Sequence, residues 1–372
     1  MTNRDRWLLP EGIEELLPPQ ADALENLRRQ LLDCYRSWGY ELIMPPFIEY
    51  LESLLTGTGG DLDLQTFKIT DSLTGRQMGV RADMTPQAAR IDAHQLKRDV
   101  PVRLCYLGTV LRTRPEGFSG SRTPLQVGAE LFGHSGIDSD LEILEVMLET
   151  LALTGVEPVI VDLGHVGIFR GLARQAGLDA EQEAALFDAL QRKAVPEINE
   201  LLDVYSSTSK LSSKMKGMFS ALSGLSGGDE VLKEAGKVLK PADKAVKQAL
   251  EELVQISGQL LQRRPDVQLH YDLAELRGYN YQSGIVFAAY VPGFGQEVAR
   301  GGRYDGIGEI FGRSRSATGF SADLKTLVEL SKKPSCLENA GTIFAPADND
   351  PALRLEVDRL RKTGERVIYS LS

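Results

Sequence analysis

The stretch LRTRPEGFSGSRTPLQVGAELFG (residues 111–133) predicts a long β-hairpin and, with it, the type of sheet that the chain forms. Apolar residues dominate a first strand, Arg103 to Leu111, and a return strand, Leu125 to Phe132. A loop rich in glycine, proline and serine, residues 114–124, joins the two strands. Adjacent strands joined in this way run antiparallel.

Polar side chains interrupt this apolar hairpin. Gln126 and Glu130 stand four positions apart on the return strand, so they point to the same face of the sheet. Arg112 on the other arm can join them. An arginine, an amide and a carboxylate on one face form a receptor for a zwitterion or a phosphate. An ion pair on a solvated sheet face is the alternative, and the spacing alone leaves both open.

The rest of the chain predicts further helices and strands around this hairpin. Helices are predicted over residues 21–38, 86–96, 138–153 (capped by Asp138 and ended by Gly155) and 321–330. Strands are predicted over 40–44, 158–163, 267–271, 284–290 and 297–300, with a hairpin over 65–81 and a β-α-β unit within 342–370. Residues 206–228, rich in serine, lysine and glycine, are typical of a mobile connection.

Hairpins and helices without regular βαβα alternation indicate an α+β fold, an antiparallel sheet flanked by helices. We expect a discontinuous core of residues 1–178 and 264–335, interrupted by a helical insertion over 179–263. Residues 340–372 form a separate small β-α-β unit.

Composition excludes several classes of protein. The 372 residues carry 42 Lys and Arg against 52 Asp and Glu, a net charge of −10, which argues against a nonspecific nucleic-acid binder. Three widely spaced cysteines predict neither a disulfide framework nor a zinc site, and the four histidines show no metal-ligand spacing. Phosphate-binding and dinucleotide-binding glycine motifs are absent, so we expect no cofactor and no metal. No apolar run is long enough to span a membrane and no signal segment is present, which favours the cytoplasm.

A second concentration of polar residues lies further along the chain. The segments RGYNY (277–281) and GGRYDG (301–306) each combine arginine, tyrosine and glycine. Glycines there allow a backbone to approach a ligand closely, although they are equally typical of turns. Two such clusters next to predicted strands nevertheless favour a binding site.

These motifs, taken in order, resemble the catalytic core of histidyl-tRNA synthetase, a class II aminoacyl-tRNA synthetase. WGYELIMPPFIEY (38–50) is similar to class II motif 1, and residues 111–133 are similar to motif 2. ELRGYNYQSGIVF (275–287) and GGRYDGI (301–307) resemble the histidine-specific blocks, while TGFSADLKTLVEL (318–330) takes the place of motif 3. The resemblance implies the class II fold and, through motif 1, a homodimer.

The resemblance also implies a binding site for histidine. Six residues fall on positions that hold histidine in the synthetases, and Arg112 aligns with the motif 2 arginine that holds the carboxylate and the α-phosphate. The six are Asp83, Thr85, Gln126, Glu130, Arg277 and Tyr304.

Departures from the synthetase pattern affect ATP and tRNA. In motif 3, Asp323, Lys325 and Thr326 replace a small residue, a glutamate and the arginine that clamps ATP phosphates. Losing a cation and gaining a carboxylate both oppose triphosphate binding. Few residues follow Ala340, too few for a full anticodon-binding domain.

This combination resembles a paralogous family, the regulatory subunits of ATP phosphoribosyltransferase. That family implies a non-catalytic chain that joins a short catalytic subunit in a hetero-octamer, activates it and allows histidine to inhibit it. Two alternatives stay open: a ligase that adenylates an amino acid, and a tRNA-binding module.

Overall fold

The computed structural model describes residues 7–56, 60–115, 120–208, 211–275, 278–279, 281–331 and 341–371. At residues 60, 61, 207 and 208 it describes the backbone alone.

The first part of the chain contains the predicted hairpins and the long helix that follows them. Its elements are α1 (Gln20–Ser37), β1 (Glu41–Leu42), β2 (Ile48–Tyr50), α2 (Leu51–Leu55), α3 (Gly60–Gln65), β3 (Phe67–Thr70), β4 (Gln77–Val80), α4 (Thr85–Ile91) continued by a π-helical turn (Asp92–Leu96), β5 (Val102–Thr109), β6 (Leu125–Phe132) and α5 (Ile137–Thr154).

The second part begins with a strand, continues through helices and returns to strands. Its elements are β7 (Ile160–His165), α6 (Val166–Ala176), α7 (Ala180–Gln191), α8 (Val195–Thr208), α9 (Ser213–Leu222), β8 (Ser226–Gly227), α10 (Glu230–Val238), α11 (Lys244–Arg263), β9 (Gln268–Asp272), β10 (Ile285–Tyr290), β11 (Ala299–Arg303), α12 (Ile307–Ile310), β12 (Ala317–Asp323), α13 (Leu324–Leu330), β13 (Ile343–Pro346), α14 (Pro351–Lys362) and β14 (Val367–Ser370).

A nine-stranded sheet forms the centre of the fold, in the order β1-β5-β6-β12-β11-β10-β7-β9-β8. Neighbouring strands are antiparallel, as predicted, except β1 with β5 and β7 with β9, which are parallel and make the sheet mixed. A separate three-stranded sheet has the order β2-β4-β3. The predicted β-α-β unit is confirmed, with β13 and β14 parallel.

Three glycines lie in one row of paired residues that runs across five strands of the central sheet. Glu130 on β6 faces Gly319 on β12, which faces Gly302 on β11. Gly302 faces Val286 on β10, and Val286 faces Gly164 on β7. Because side chains opposite each other in a ladder share a face, Gly319 leaves room for the carboxyl group of Glu130 and Gly302 leaves room for the side chain of Gln282.

One continuous core joins the sheet to the helices on its other side. Buried residues of α5, α6 and α11 pack together with those of β7, β10 and β12. The segment predicted as an insertion contributes α11 to this core, so its helices share their apolar surface with the sheet. Within the described part of the chain, no helix is both long and apolar enough to cross a membrane.

Three local predictions were wrong. Asp138 does not cap α5: the helix begins at Ile137 after Gly136, without a side-chain cap, although Gly155 ends it as predicted with φ of 73°. Residues 206–228 were predicted to be a mobile connection, but they contain the end of α8, all of α9 and the short strand β8. Residues 209–210 lie outside the described residues. The predicted 321–330 helix begins at Leu324, since β12 extends through Asp323.

Candidate functional site

Glu130, on β6, is a deeply buried carboxyl group with 1% of its surface exposed. The Tyr106 hydroxyl donates to Oε1 at 2.8 Å, and the Tyr304 hydroxyl donates to Oε2. Burial raises the pKa of Glu130 to about 8, although the two hydroxyls oppose the rise. The carboxyl group therefore exchanges a proton close to neutral pH.

Asp83 and Thr85 are brought to this site by the start of α4. The Gln126 amide donates to Asp83 Oδ1 at 2.7 Å, and the backbone N–H of Met84 donates to Gln126 Oε1 at 2.9 Å. The Thr85 hydroxyl lies 3.1 Å from the hydroxyl of Tyr106. Gln126 thus fixes the Asp83 carboxylate beside the strand that carries Glu130.

A cavity of about 320 Å³ opens above these groups. Four of the residues predicted to bind histidine line this cavity: Asp83, Thr85, Glu130 and Tyr304. Other lining residues include Glu275, Tyr281, Gln282 and Phe320. Its volume suits a ligand of the size of an amino acid.

Arg112 occupies a different cavity. β5 ends at Thr109, and Arg112 instead forms an isolated bridge with Thr66, its Nε donating to the Ala82 carbonyl at 3.4 Å. It lines a neighbouring cavity of about 460 Å³, which Gln126 also borders. Arg112 therefore lies beyond the end of β5 and not on that strand, and its part in binding histidine stays a prediction. Arg277 lies outside the described residues.

Asp323 forms part of the wall of this second cavity. Its carboxylate accepts hydrogen bonds from the backbone N–H of Leu125 at 2.9 Å, from the N–H of Lys325 at 3.2 Å and from the Thr326 hydroxyl at 3.0 Å. Burial raises the pKa of Asp323. The residue that departs from the synthetase pattern is thus the N-cap of α13.

The GGRYDG cluster divides between the cavity and the core. Tyr304 faces Glu130, whereas Arg303 is buried and donates to Asp140 at 2.9 Å and to the Ser139 hydroxyl at 2.8 Å. It also donates to the Gly136 carbonyl at 3.1 Å. Arg303 therefore anchors β11 to the first turn of α5, whereas Gly301 and Tyr304 of this cluster line the cavity.

Two further tyrosines lie at the site: Tyr281 belongs to the RGYNY cluster that the sequence pointed to, and Tyr106 was not predicted. Tyr281 stacks on Tyr304 with ring centroids 4.9 Å apart. Tyr106 lies opposite Gly128 across the hairpin, where a β-carbon would come within 2.6 Å of its hydroxyl. A tyrosine facing a glycine in a predicted hairpin was a signal for Tyr106. Nothing local in the sequence predicts the stacking of Tyr281.

The histidines described have structural partners. His165 accepts from the N–H of Gly167 at 3.1 Å and caps α6, and His270 lies 2.9 Å from Asp162 on the adjacent strand. Among the residues that the structure covers, no three His, Cys, Asp or Glu side chains are grouped to hold a metal ion.

Comparison with known proteins identifies the family. The pattern of the family described as histidyl-tRNA synthetase matches residues 12–327, and that described as ATP phosphoribosyltransferase subunit HisZ C-terminal domain matches residues 340–372. The ATP phosphoribosyltransferase regulatory subunit of Thioalkalivibrio sulfidiphilus is 62% identical over 372 residues, which is 100% of this chain and 93% of the relative. The chain belongs to the family of ATP phosphoribosyltransferase regulatory subunits.

Solved structures agree with this family. An ATP phosphoribosyltransferase regulatory subunit/histidyl-tRNA synthetase from Bacillus halodurans matches with a TM-score of 0.82 and 28% identity, over 98% of this chain and 92% of that one. A chain of the ATP phosphoribosyl transferase (HisG:HisZ) complex from Thermotoga maritima shares the fold, with a TM-score of 0.61 and 21% identity over 83% of this chain and 98% of that one. The predicted histidyl-tRNA synthetase-like fold is confirmed.

Proposed function

We propose that the chain activates a short-form catalytic ATP phosphoribosyltransferase subunit in the first step of histidine biosynthesis and lets histidine inhibit it. Membership of the regulatory-subunit family supports this role, as does the fold shared with a chain of the Thermotoga maritima complex. The proposed assembly is a cytoplasmic hetero-octamer in which the partner transfers the phosphoribosyl group to ATP.

The observation that carries the proposal is the contrast between the two cavities. The cavity around Glu130 offers buried acceptors suited to the ammonium and imidazole groups of histidine, with Asp83 as the carboxylate for the ammonium. The neighbouring cavity has the Asp323 carboxylate in its wall, which repels triphosphate oxygens. A kept amino-acid pocket beside an unsuitable nucleotide pocket favours sensing of histidine over its adenylation.

Regulation requires that histidine bind two states of the assembly with different affinities, because equal binding shifts no equilibrium. Such coupling is commonly about 1–3 kcal/mol. We infer that the state with histidine against Glu130 is the inhibited one. Histidine in this pocket then inhibits the catalytic subunit through the surface of this chain that the catalytic subunit contacts.

We also propose that the chain forms a homodimer through the region of motif 1. Large apolar side chains near β1 and β2 are exposed, including Met44 at 81%, Phe47 at 42% and Ile48 at 41%. Contiguous exposed apolar surface of this kind marks protein interfaces. Light scattering of Met44→Lys should give a monomer, whereas Leu73→Lys, at a turn tip, should leave the dimer intact.

The division of the chain into a core (1–178 and 264–335), a helical insertion (179–263) and a C-terminal unit (340–372) is part of the same proposal. It predicts that limited proteolysis cuts first near the ends of these segments. The net charge of −10 supports the further proposal that the chain binds no tRNA.

The decisive experiment measures phosphoribosyl transfer to ATP by a short-form catalytic subunit of the same organism, with and without this chain, while histidine is titrated. We expect the chain to stimulate transfer and histidine to reverse the stimulation. Glu130→Ala should abolish histidine binding in calorimetry, with Glu251→Ala, exposed on α11, as the matched control. Absence of stimulation would refute the proposal, and ATP–pyrophosphate exchange with histidine would then test the ligase alternative.

A further inference from the structure

The wall of the candidate histidine pocket is held by helices outside the pocket. Gly278, Tyr279, Tyr281 and Gln282 form a turn, here called the pocket turn, in which the N–H groups of Tyr281 and Gln282 both donate to the Gly278 carbonyl at 2.7 Å. Gly278 has φ of 68°, a conformation that glycine adopts without strain. These two hydrogen bonds tie Tyr281 and Gln282 to Gly278.

Side chains on the two sides of the pocket turn contact different parts of the protein. Tyr281 stacks on Tyr304, whose hydroxyl donates to Glu130. Tyr279, two positions earlier, points away from the cavity and is 7% exposed. Its ring lies 5.4 Å from that of Phe169 on α6 and 5.0 Å from that of Phe187 on α7, centroid to centroid.

Polar contacts reinforce this attachment to the helices. Arg170 on α6 donates from one terminal nitrogen to the carbonyl of Tyr279 at 2.8 Å and to that of Gln282 at 3.1 Å. Its guanidinium also lies 4.7 Å from the centroid of the Tyr279 ring. The Tyr279 hydroxyl donates to Glu183 on α7. A single cation thus joins both ends of the pocket turn to α6.

We propose that Arg170 is a positioning residue for the histidine pocket, holding the pocket turn so that Tyr281 stays against Tyr304 and Glu130 keeps its geometry. The proposal rests on the assignment of this cavity to histidine. Arg170 does not line the cavity and acts on the ligand only through the turn. Movement of α6 or α7 changes the affinity of the pocket, which makes these helices the route by which a distant contact reaches it.

Variants of Arg170 distinguish the effect of its hydrogen bonds to the pocket turn from the effect of its positive charge. Arg170→Met removes both hydrogen bonds to the turn and keeps most of the side-chain volume. Arg170→Lys keeps the charge but loses the planar guanidinium that reaches both carbonyls and stacks on the ring. Arg174→Met is the matched control, because Arg174 lies one turn later on α6 and is exposed.

The first measurement needs no ligand. In the full chain labelled with 3-fluorotyrosine, the ¹⁹F resonance of Tyr281 is assigned with Tyr281→Phe. We expect Arg170→Met to shift this resonance and to increase its broadening by a soluble paramagnet, with a smaller effect for Arg170→Lys and none for Arg174→Met. Retained cooperative thermal unfolding shows that the variants are folded. An unchanged Tyr281 resonance in folded Arg170→Met overturns the proposal.

The second measurement is histidine affinity by calorimetry. We expect Arg170→Met to weaken binding about tenfold, because charge-assisted hydrogen bonds to the turn are lost, while Arg174→Met stays within about twofold of the parent chain. A shifted Tyr281 resonance with unchanged affinity also overturns the proposal. If the parent chain binds no histidine, the effector role proposed above fails, whereas the ¹⁹F result still decides whether Arg170 positions the turn.

Discussion

Gly319 faces Glu130 across the ladder of β6 and β12, and a β-carbon at Gly319 would overlap the Oε2 atom of Glu130. The hydroxyls of Tyr106 and Tyr304 donate to the same carboxyl group and hold it over Gly319. The buried carboxyl group therefore depends on a glycine in a neighbouring strand.

Gly319→Ala should displace Glu130 and abolish histidine binding in calorimetry. We expect a loss of about 1–3 kcal/mol in the free energy of unfolding, because the added methyl group overpacks a filled site. Gly258→Ala on α11 is the control, since no atom lies within 4 Å of its β-carbon position. Full histidine affinity in Gly319→Ala would contradict this account of the pocket.

The raised pKa of Glu130 predicts a pH-dependent stability. The folded-state pKa of about 8 lies above the ordinary glutamate value of 4.5, so the folded chain binds this proton more tightly than the unfolded one. Its contribution is fully present below about pH 4.5 and is lost as pH rises toward 8. Glu130→Gln should flatten the pH dependence of urea unfolding by on the order of 5 kcal/mol across this range, because each unit of difference between the two pKa values is worth about 1.4 kcal/mol. Glu251→Gln should leave the slope unchanged, and equal slopes in all three proteins would refute the prediction.

Asp323→Ala should destabilise the chain by about 0.5–2 kcal/mol, because α13 loses its N-cap. Thermal unfolding measures the loss, with exposed Asp33→Ala on α1 as the control. The same variant should show no ATP–pyrophosphate exchange, since Thr326 still occupies the position of the phosphate-binding arginine. Exchange activity after this one change would mean that Asp323 alone blocks nucleotide binding.

Arg303 and Asp140 form a buried ion pair whose two partners are 9% and 4% exposed. Arg303→Met leaves the Asp140 carboxylate buried without its cation, so we expect a loss of about 3–5 kcal/mol in the free energy of unfolding. The double variant Arg303→Met/Asp140→Leu should recover much of that loss. Chemical unfolding tests both, and a double variant no more stable than Arg303→Met would show that the hydrogen bonds to backbone carbonyls dominate.

Local patterns in the sequence were sufficient for the hairpins and for much of the site. Alternation predicted the hairpin of β3 and β4, and the spacing of Gln126 and Glu130 predicted that both point to one face of the return strand; the contact of Gln126 with Asp83 came from the structure. Helix starts were less certain, because Asp138 is a capping residue type but α5 begins at Ile137 without a side-chain cap. The first strand of the hairpin ends at Thr109 and not at Leu111 as predicted, and Arg112 lines the second cavity.

The position of Tyr281 could not be predicted for a different reason. It depends on contacts that the pocket turn makes with Arg170 and with the aromatic rings of α6 and α7. Arg170 comes more than a hundred residues before the turn in the chain. Contacts of this kind depend on tertiary packing and leave no local periodicity. Sequence spacing therefore pointed to Glu130, and the synthetase resemblance added Asp83, but neither predicted the contact between Tyr281 and Tyr304.

The capping role of Asp323 has an evolutionary consequence. A return to adenylation chemistry requires at least a small residue at position 323 and an arginine at position 326, and the first change removes the cap of α13 before any activity is gained. The Thr326 hydroxyl also bonds that carboxylate, so replacing it weakens the same cap. Each single step removes a hydrogen bond at the start of α13, so the residues that adenylation needs at these positions conflict with the capping of one short helix.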